Sequence, residues 1–182
     1  MKFEPQAIPD LVVVKPQVFG DDRGFFMETW QAGKFAAAGI EATFVQENHS
    51  KSNKGVLRGL HYQLRHPQGK LVRVIAGEVF DVAVDLRRSS PTFAKWAGVY
   101  LSAENKHSFW VPPGFAHGFY VTGEVAEFVY LCTALYAPED ERCILWNDAD
   151  LGVEWPIGET TAPLVSKGDA AGAAFRDGEY YP

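Results

Sequence analysis

The chain has 182 residues, 47% of them hydrophobic and 22% charged, with a formal net charge of −6. This is the balance of an ordinary folded protein with room for one core. The acidic excess excludes a global basic footprint for nucleic acid or an anionic membrane, so an anionic ligand needs a local basic cluster. The N-terminus, MKFEPQAIPDLVVV, carries an early acid and two prolines and no long apolar run, which argues against a signal peptide. No apolar stretch approaches the ~20 residues needed to span a bilayer. Cys132 and Cys143 are too few for a disulfide framework and read as free thiols of a reducing compartment. The expectation is a soluble cytoplasmic protein.

In chain order, the candidate strands are LVVV (11–14), FFMETW (25–30), ATFVQENHS (42–50), VLRGLHYQL (56–64), KLVRVI (70–75) and EVFDVAVDL (78–86). KWAGVYL (95–101), HSFWV (107–111), AHGFYV (116–121) and AEFVYLCTALY (126–136) follow. Turn signals such as GDDRG, SNKG, HPQG, RRSSPT, PPG and APED separate them. Only QAGKFAAAG (31–39) reads as a helix, and it is short. The spacing predicts an all-β sandwich or barrel formed by residues 1–182 as a single domain. The tail from about residue 151, rich in Gly, Pro and Ala, is expected to wrap the surface or end in short helical turns.

Strand alternation assigns faces. In EVFDVAVDL, Phe80, Val82, Val84 and Leu86 share one side; Val79, Asp81, Ala83 and Asp85 share the other. The second side is either solvent-facing or the lumen of a barrel. In HYQL, His61 and Gln63 point one way and Tyr62 and Leu64 the other, while Phe128, Tyr130 and Cys132 share a face. Several strands thus offer one face of mixed polar and aromatic groups, as concave ligand sites do. The stretch GVLRGLHYQLRHPQGKLVRV sets His61, Arg58 and Lys70 among apolar residues. Burying a charge is costly unless it is paired, so these groups are either solvated or line a cavity.

The spacing in GVLRGLHYQ resembles the first cupin motif, with five residues between Gly55 and His61. Gln63 stands where cupins have a second histidine, and Lys70 where they often have glutamate. The second motif is present as Pro112, Gly114 and His117. The implied fold is a cupin-type double-stranded β-helix, a jelly roll with a few short helices. An amide ligates transition metals poorly and an ammonium repels them, so no metal is expected at this set. His61 is then free to act as a base, or it is a satisfied structural histidine.

GDDRGFFMETW, VQENHSKSNKGVLRGLHYQ, GKLVRVIAGEVFDVAVDLRRSSPTF, VPPGFAHGFYV and LWNDADLGVEWP together resemble the dTDP-4-dehydrorhamnose 3,5-epimerases, from about Asp10 to about Asp169. That resemblance implies an isomerase acting on a dTDP-linked 4-keto-6-deoxy sugar without a cofactor, inverting C3 and C5 beside the C4 ketone. It implies His61 as base, Asp169 as its partner, Lys70 beside the C4 oxygen and Tyr130 as acid on the opposite face. Asp81 and His117 would position the sugar or tune the base, and Arg23 and Arg58 would bind the diphosphate. Gln46, Asn48 and Glu141 would contact the ligand. Glu28 would read the thymine edge, with Tyr136 stacking on the base and Phe26 adding to the wall. Two residues depart from the family pattern: Gly168 and Leu131 stand where many members have lysine. The resemblance leaves open a C3-only or C5-only epimerase of a related nucleotide sugar, and the cupin spacing alone leaves open a non-catalytic or metal-binding cupin. It also implies a homodimer, for which LVVV is a plausible exchanging strand.

Overall fold

The computed structural model describes residues 1–158 and 162–182. The strands are β1 (Lys2–Pro5), β2 (Val12–Lys15), β3 (Val18–Asp21), β4 (Gly24–Met27), β5 (Gln46–Asn53), β6 (Leu57–Gln63), β7 (Lys70–Asp85), β8 (Trp96–Ser102), β9 (Ser108–Val111), β10 (Phe115–Cys132) and β11 (Glu141–Cys143). Helix α1 (Ala32–Ala37) follows β4, and the four-residue α2 (Lys167–Ala170) lies in the tail.

Two long strands organise the fold. KLVRVI and EVFDVAVDL, expected as separate strands, form the continuous β7, and AHGFYV and AEFVYL join likewise into β10. The two pair antiparallel along both halves, with a shift in register between Val121 and Ala126 opposite Gly77. There both bend, and each half enters a different layer. The first layer runs β1-β2-β9-β7-β10-β5 through residues 70–76 and 126–132. The second runs β8-β7-β10-β6-β11 through residues 78–85 and 115–121. This is the cupin-type jelly roll. LVVV is paired on both sides, with β1 and β9, so the outer edge of the first layer belongs to β1. FFMETW is strand only through Met27, and it forms with β3 a hairpin that pairs with neither layer.

The core lies between the layers. Val72, Val74, Phe109 and Phe128 from one meet Val79, Leu101, Phe119 and Val121 from the other. Both faces of EVFDVAVDL are therefore buried. Phe80, Val82 and Val84 lie under Leu60, Tyr62 and Ile144, with Trp155, Phe175 and Tyr181 of the tail packed against them. On the outer face of the first layer, Val12, Val14 and Trp110 pack against Phe35 of α1.

Candidate active site

Alternation carries the polar residues inward. Lys70, Val72 and Val74 share the inner face of β7 with Asp81 beyond the bend; Phe128 and Tyr130 do so on β10, with His117 beyond its own. Antiparallel register sets His117 opposite His61, Tyr130 opposite Asn48 and Lys70 opposite Cys132. Arg58, His61, Lys70, His117 and Tyr130 converge on one cavity of about 140 Å³, with Ser50 and Phe128 in its wall.

His61 is held by a residue 108 positions away. Its Nε2 lies 2.6 Å from Asp169 Oδ1, and the Asp169 carboxylate also accepts from Ser166 Oγ at 2.7 Å and the Gly59 amide at 3.3 Å. Burial works to raise the Asp169 carboxyl, but the bonds from His61, Ser166 and Gly59 outweigh it and hold it down at about 2. An ionised carboxylate can only accept, so His61 Nε2 carries the hydrogen, and in the neutral ring Nδ1 has the lone pair. Such an imidazole can take a proton from a carbon acid and share the resulting charge with Asp169.

The other groups complete a proton-transfer site. Burial pushes the Lys70 ammonium below the usual lysine range, opposed by the nearby acids Glu141 and Asp81. Burial raises the Tyr130 phenol, which keeps it protonated and able to donate. Asp81 is fully buried and bonds His117 Nε2 through both oxygens, at 2.8 and 3.0 Å. Burial raises its carboxyl, with His117 and Lys70 pulling the other way. A base, a cation and an acid thus face one small volume, the set that enolising a ketone requires.

The comparisons agree with this chemistry. A profile of dTDP-4-dehydrorhamnose 3,5-epimerase matches residues 5–177. A protein of that name from Pseudomonas aeruginosa is 57% identical over 183 aligned positions, covering 100% of both chains. The chain belongs to the dTDP-4-dehydrorhamnose 3,5-epimerase family. A 3,5-epimerase structure from Legionella pneumophila, solved with dTDP-4-keto-L-rhamnose, is 52% identical with a TM-score of 0.90, covering 94% of this chain and 90% of that one. One from Elizabethkingia anophelis is 47% identical with a TM-score of 0.93, covering 99% of each.

The residues that the family resemblance assigns to the nucleotide fall into two groups. Gln46, Asn48, Tyr136 and Glu141 form a hydrogen-bonded chain. Gln46 donates to Asn48 Oδ1 at 3.0 Å and accepts from the Tyr136 amide at 2.9 Å, and the Tyr136 hydroxyl donates to Glu141 at 3.0 Å. Arg58 lines both the His61 cavity and an adjoining one of about 310 Å³ that also holds Glu141 and Asp169. Arg23, Phe26 and Glu28 line neither. Arg23 pairs with Asp21 on the β3–β4 hairpin, Phe26 lies in a surface cleft there, and Glu28 bonds Lys34 at 2.7 Å.

The family departures have different consequences. Leu131 faces away from Tyr130 and packs against the outer cluster around Val14 and Trp110, outside the cavity. Gly168 lines the 310 Å³ cavity, and a Cβ there would meet only Ser166 Oγ, at 3.6 Å. Gln63 spends its amide on the loops, donating to the His66 and Leu135 carbonyls and accepting from the Ala137 amide, so it fills the cupin ligand position without offering a ligand. Sequence reasoning missed Ser166, although S-K-G-D is a legible capping box.

Proposed function

We propose that this chain converts dTDP-4-dehydro-6-deoxy-D-glucose to dTDP-4-dehydro-L-rhamnose, inverting C3 and C5. The observation that carries the reading is the His61–Asp169 pair, 2.6 Å apart, opening on a cavity walled by Lys70 and Tyr130. His61 Nδ1 takes the proton at C3 or C5, the bonding pair moves toward the C4 oxygen, and Lys70 stabilises the enolate. Tyr130 delivers a proton to the opposite face of that carbon; its phenolate then recovers one from solvent, and the His61 imidazolium releases the abstracted proton to solvent. Asp169 orients His61 and balances the imidazolium. Asp81 and His117 support the sugar side of the pocket. Arg58 takes the diphosphate, while the chain of Gln46, Asn48, Tyr136 and Glu141 contacts the nucleotide.

We propose further that the enzyme is a homodimer. Phe19, Phe25 and Phe26 on the β3–β4 hairpin are 61%, 60% and 71% exposed, too much apolar surface in one place for a solitary hairpin. A partner that receives this hairpin at its own pocket would gain Arg23, Phe26 and Glu28 as nucleotide contacts. Residues 1–182 are taken as one folding unit, since the tail covers the second layer. Among the described residues no helix is long and apolar enough to cross a membrane. Two free cysteines, Cys132 and Cys143, fit a cytoplasmic setting.

Proton NMR in D2O with dTDP-4-keto-6-deoxy-D-glucose tests the activity. Deuterium entering both C3 and C5, with an L-rhamno product trapped by a downstream reductase, is the expected result. Exchange at one carbon only would replace this reading with a single-centre epimerase.

A further inference from the structure

Cys143 has no part in the proton transfers proposed above, yet β11 sets it beside them. Its register partner on β6 is His61. One imidazole nitrogen of His61, Cys143 Sγ and one carboxylate oxygen of Asp169 all lie within 4.8 Å of one another. They open on the 310 Å³ cavity rather than being sealed in the core. We propose that this trio is an inhibitory site for a soft divalent cation, with zinc the best match, and that its occupation switches the epimerase off. The inhibition rests on His61 serving as the base; the coordination does not.

The donor set is chemically suited to zinc. Zinc takes thiolate, imidazole and carboxylate together, in a tetrahedron with bonds of about 2.0–2.3 Å. Ligand atoms in such a tetrahedron sit roughly 3.3–3.8 Å apart, so the 2.6 Å contact between His61 and Asp169 must open to admit the ion. The fourth position faces the cavity and is open to water. The set also differs from the cupin ligand positions, of which only His61 is shared.

The surroundings favour a cation at Sγ. The thiol now donates to the Ile144 carbonyl at 3.6 Å. Burial, and then the negative charges of Asp169 and Glu141, push it up to about 12, so it is a poor nucleophile by itself. The same two acids attract a divalent ion, and coordination releases the thiol proton to solvent. Arg58 and Arg142 also line the cavity and oppose the ion; Arg142 is ion-paired outside it, whereas Arg58 keeps its charge. Arg142 bonds Glu179 at 2.9 Å and the Glu139 and Glu141 carbonyls; Arg58 bonds Ser52 at 3.1 Å. Binding consumes an imidazole nitrogen and an Asp169 oxygen, so it breaks the pair that orients the base.

The test compares metal-free wild type with Cys143→Ala. Zinc titrated into the wild type should bind at one ion per chain and abolish epimerisation, with a chelator restoring turnover. The variant should keep its metal-free turnover and need at least about tenfold more zinc for the same inhibition. Cobalt(II) in place of zinc reads the site without reference to turnover. A thiolate-to-cobalt charge-transfer band should appear in wild type and be missing from Cys143→Ala, in which Cys132 remains as an internal control. No band in wild type, or equal zinc sensitivity of the two proteins, would overturn the site. A band with undiminished turnover would overturn the inhibition and the role of His61 as base, while upholding the coordination.

Discussion

At the scale of single residues, the site divides labour between groups whose charge states are fixed by different causes. Tyr130 is kept neutral chiefly by burial, so it can donate but not abstract. Removing its hydroxyl should separate the two halves of an inversion. Tyr130→Phe is expected to lower product formation about 10²-fold or more, while deuterium exchange into unreacted substrate persists; His61→Ala should lose both, and parallel loss in the tyrosine variant would refute a separate acid. Lys70 is a charge held where burial disfavours it. Lys70→Met should therefore lose about 10²–10³-fold in kcat for want of enolate stabilisation, yet melt at a higher temperature than wild type. Asp169 runs the other way. Its carboxyl lies lower in the folded protein than in the unfolded chain, about 2 against the ordinary 3.8. The stability it adds, about 2 kcal/mol, is complete above the unfolded value and is lost as the pH falls through the folded one. Urea titrations at about pH 6 and about pH 2.5 should show Asp169→Asn less stable than wild type at both, with the gap at the second shrunk to about a third of that at the first.

At the scale of elements, the bend shared by β7 and β10 holds the two walls of the site together. Gly77 has φ +75°, and a Cβ added there would lie 1.6 Å from the Val125 carbonyl oxygen. No side-chain rotation relieves a clash with backbone, so Gly77→Ala should cost at least about 3 kcal/mol in a denaturant titration. Wild-type stability in that variant would mean that the bend does not hold the layers. The same glycine explains how far the sequence could be read. AG and TGE look like chain reversals, and local composition does not distinguish a reversal from a bend that both strands make together. The alternation along each half was legible, because a period of two survives either outcome. It grouped Asp81 with Val79 and Tyr130 with Phe128 but left open whether the Asp81 face met solvent or a lumen, and only the family resemblance placed His117. His61 and Lys70 stood out as polar groups in apolar runs. Asp169 had no such signal: it joins His61 through a tail packed across the second layer, and only resemblance to a family indicated the pair. The tail's apolar residues, Trp155, Phe175 and Tyr181, lacked a strand or helix period long enough to announce the face they cover.

At the scale of the whole molecule, the single chain leaves its proposed nucleotide site divided. Arg58 lines the pocket and Gln46 and Tyr136 connect by hydrogen bonds to Glu141 of the adjoining cavity, whereas Arg23 and Phe26 ride on a hairpin outside both layers and Glu28 follows it directly. The Lys106 ammonium of its own chain lies over the Phe25 ring of the hairpin, 4.9 Å from its centroid. If each pocket is completed by the other protomer's hairpin, two defective chains can repair one another. Arg23→Ala damages the hairpin and spares the base; His61→Ala removes the base and spares the hairpin. In a mixed dimer, one pocket combines an intact His61 from the first chain with an intact Arg23 from the second, and the other pocket carries both defects. Unfolding and refolding the two variants together should yield statistical hybrids, half of the dimers mixed, each with one working site. About a quarter of all sites would then be intact, so turnover should return to roughly a quarter of wild type. Each variant refolded alone should stay low, and light scattering should give a dimer mass for all three samples. Complementary chains that fail to restore turnover as verified mixed dimers would place Arg23 and His61 in the same protomer's site.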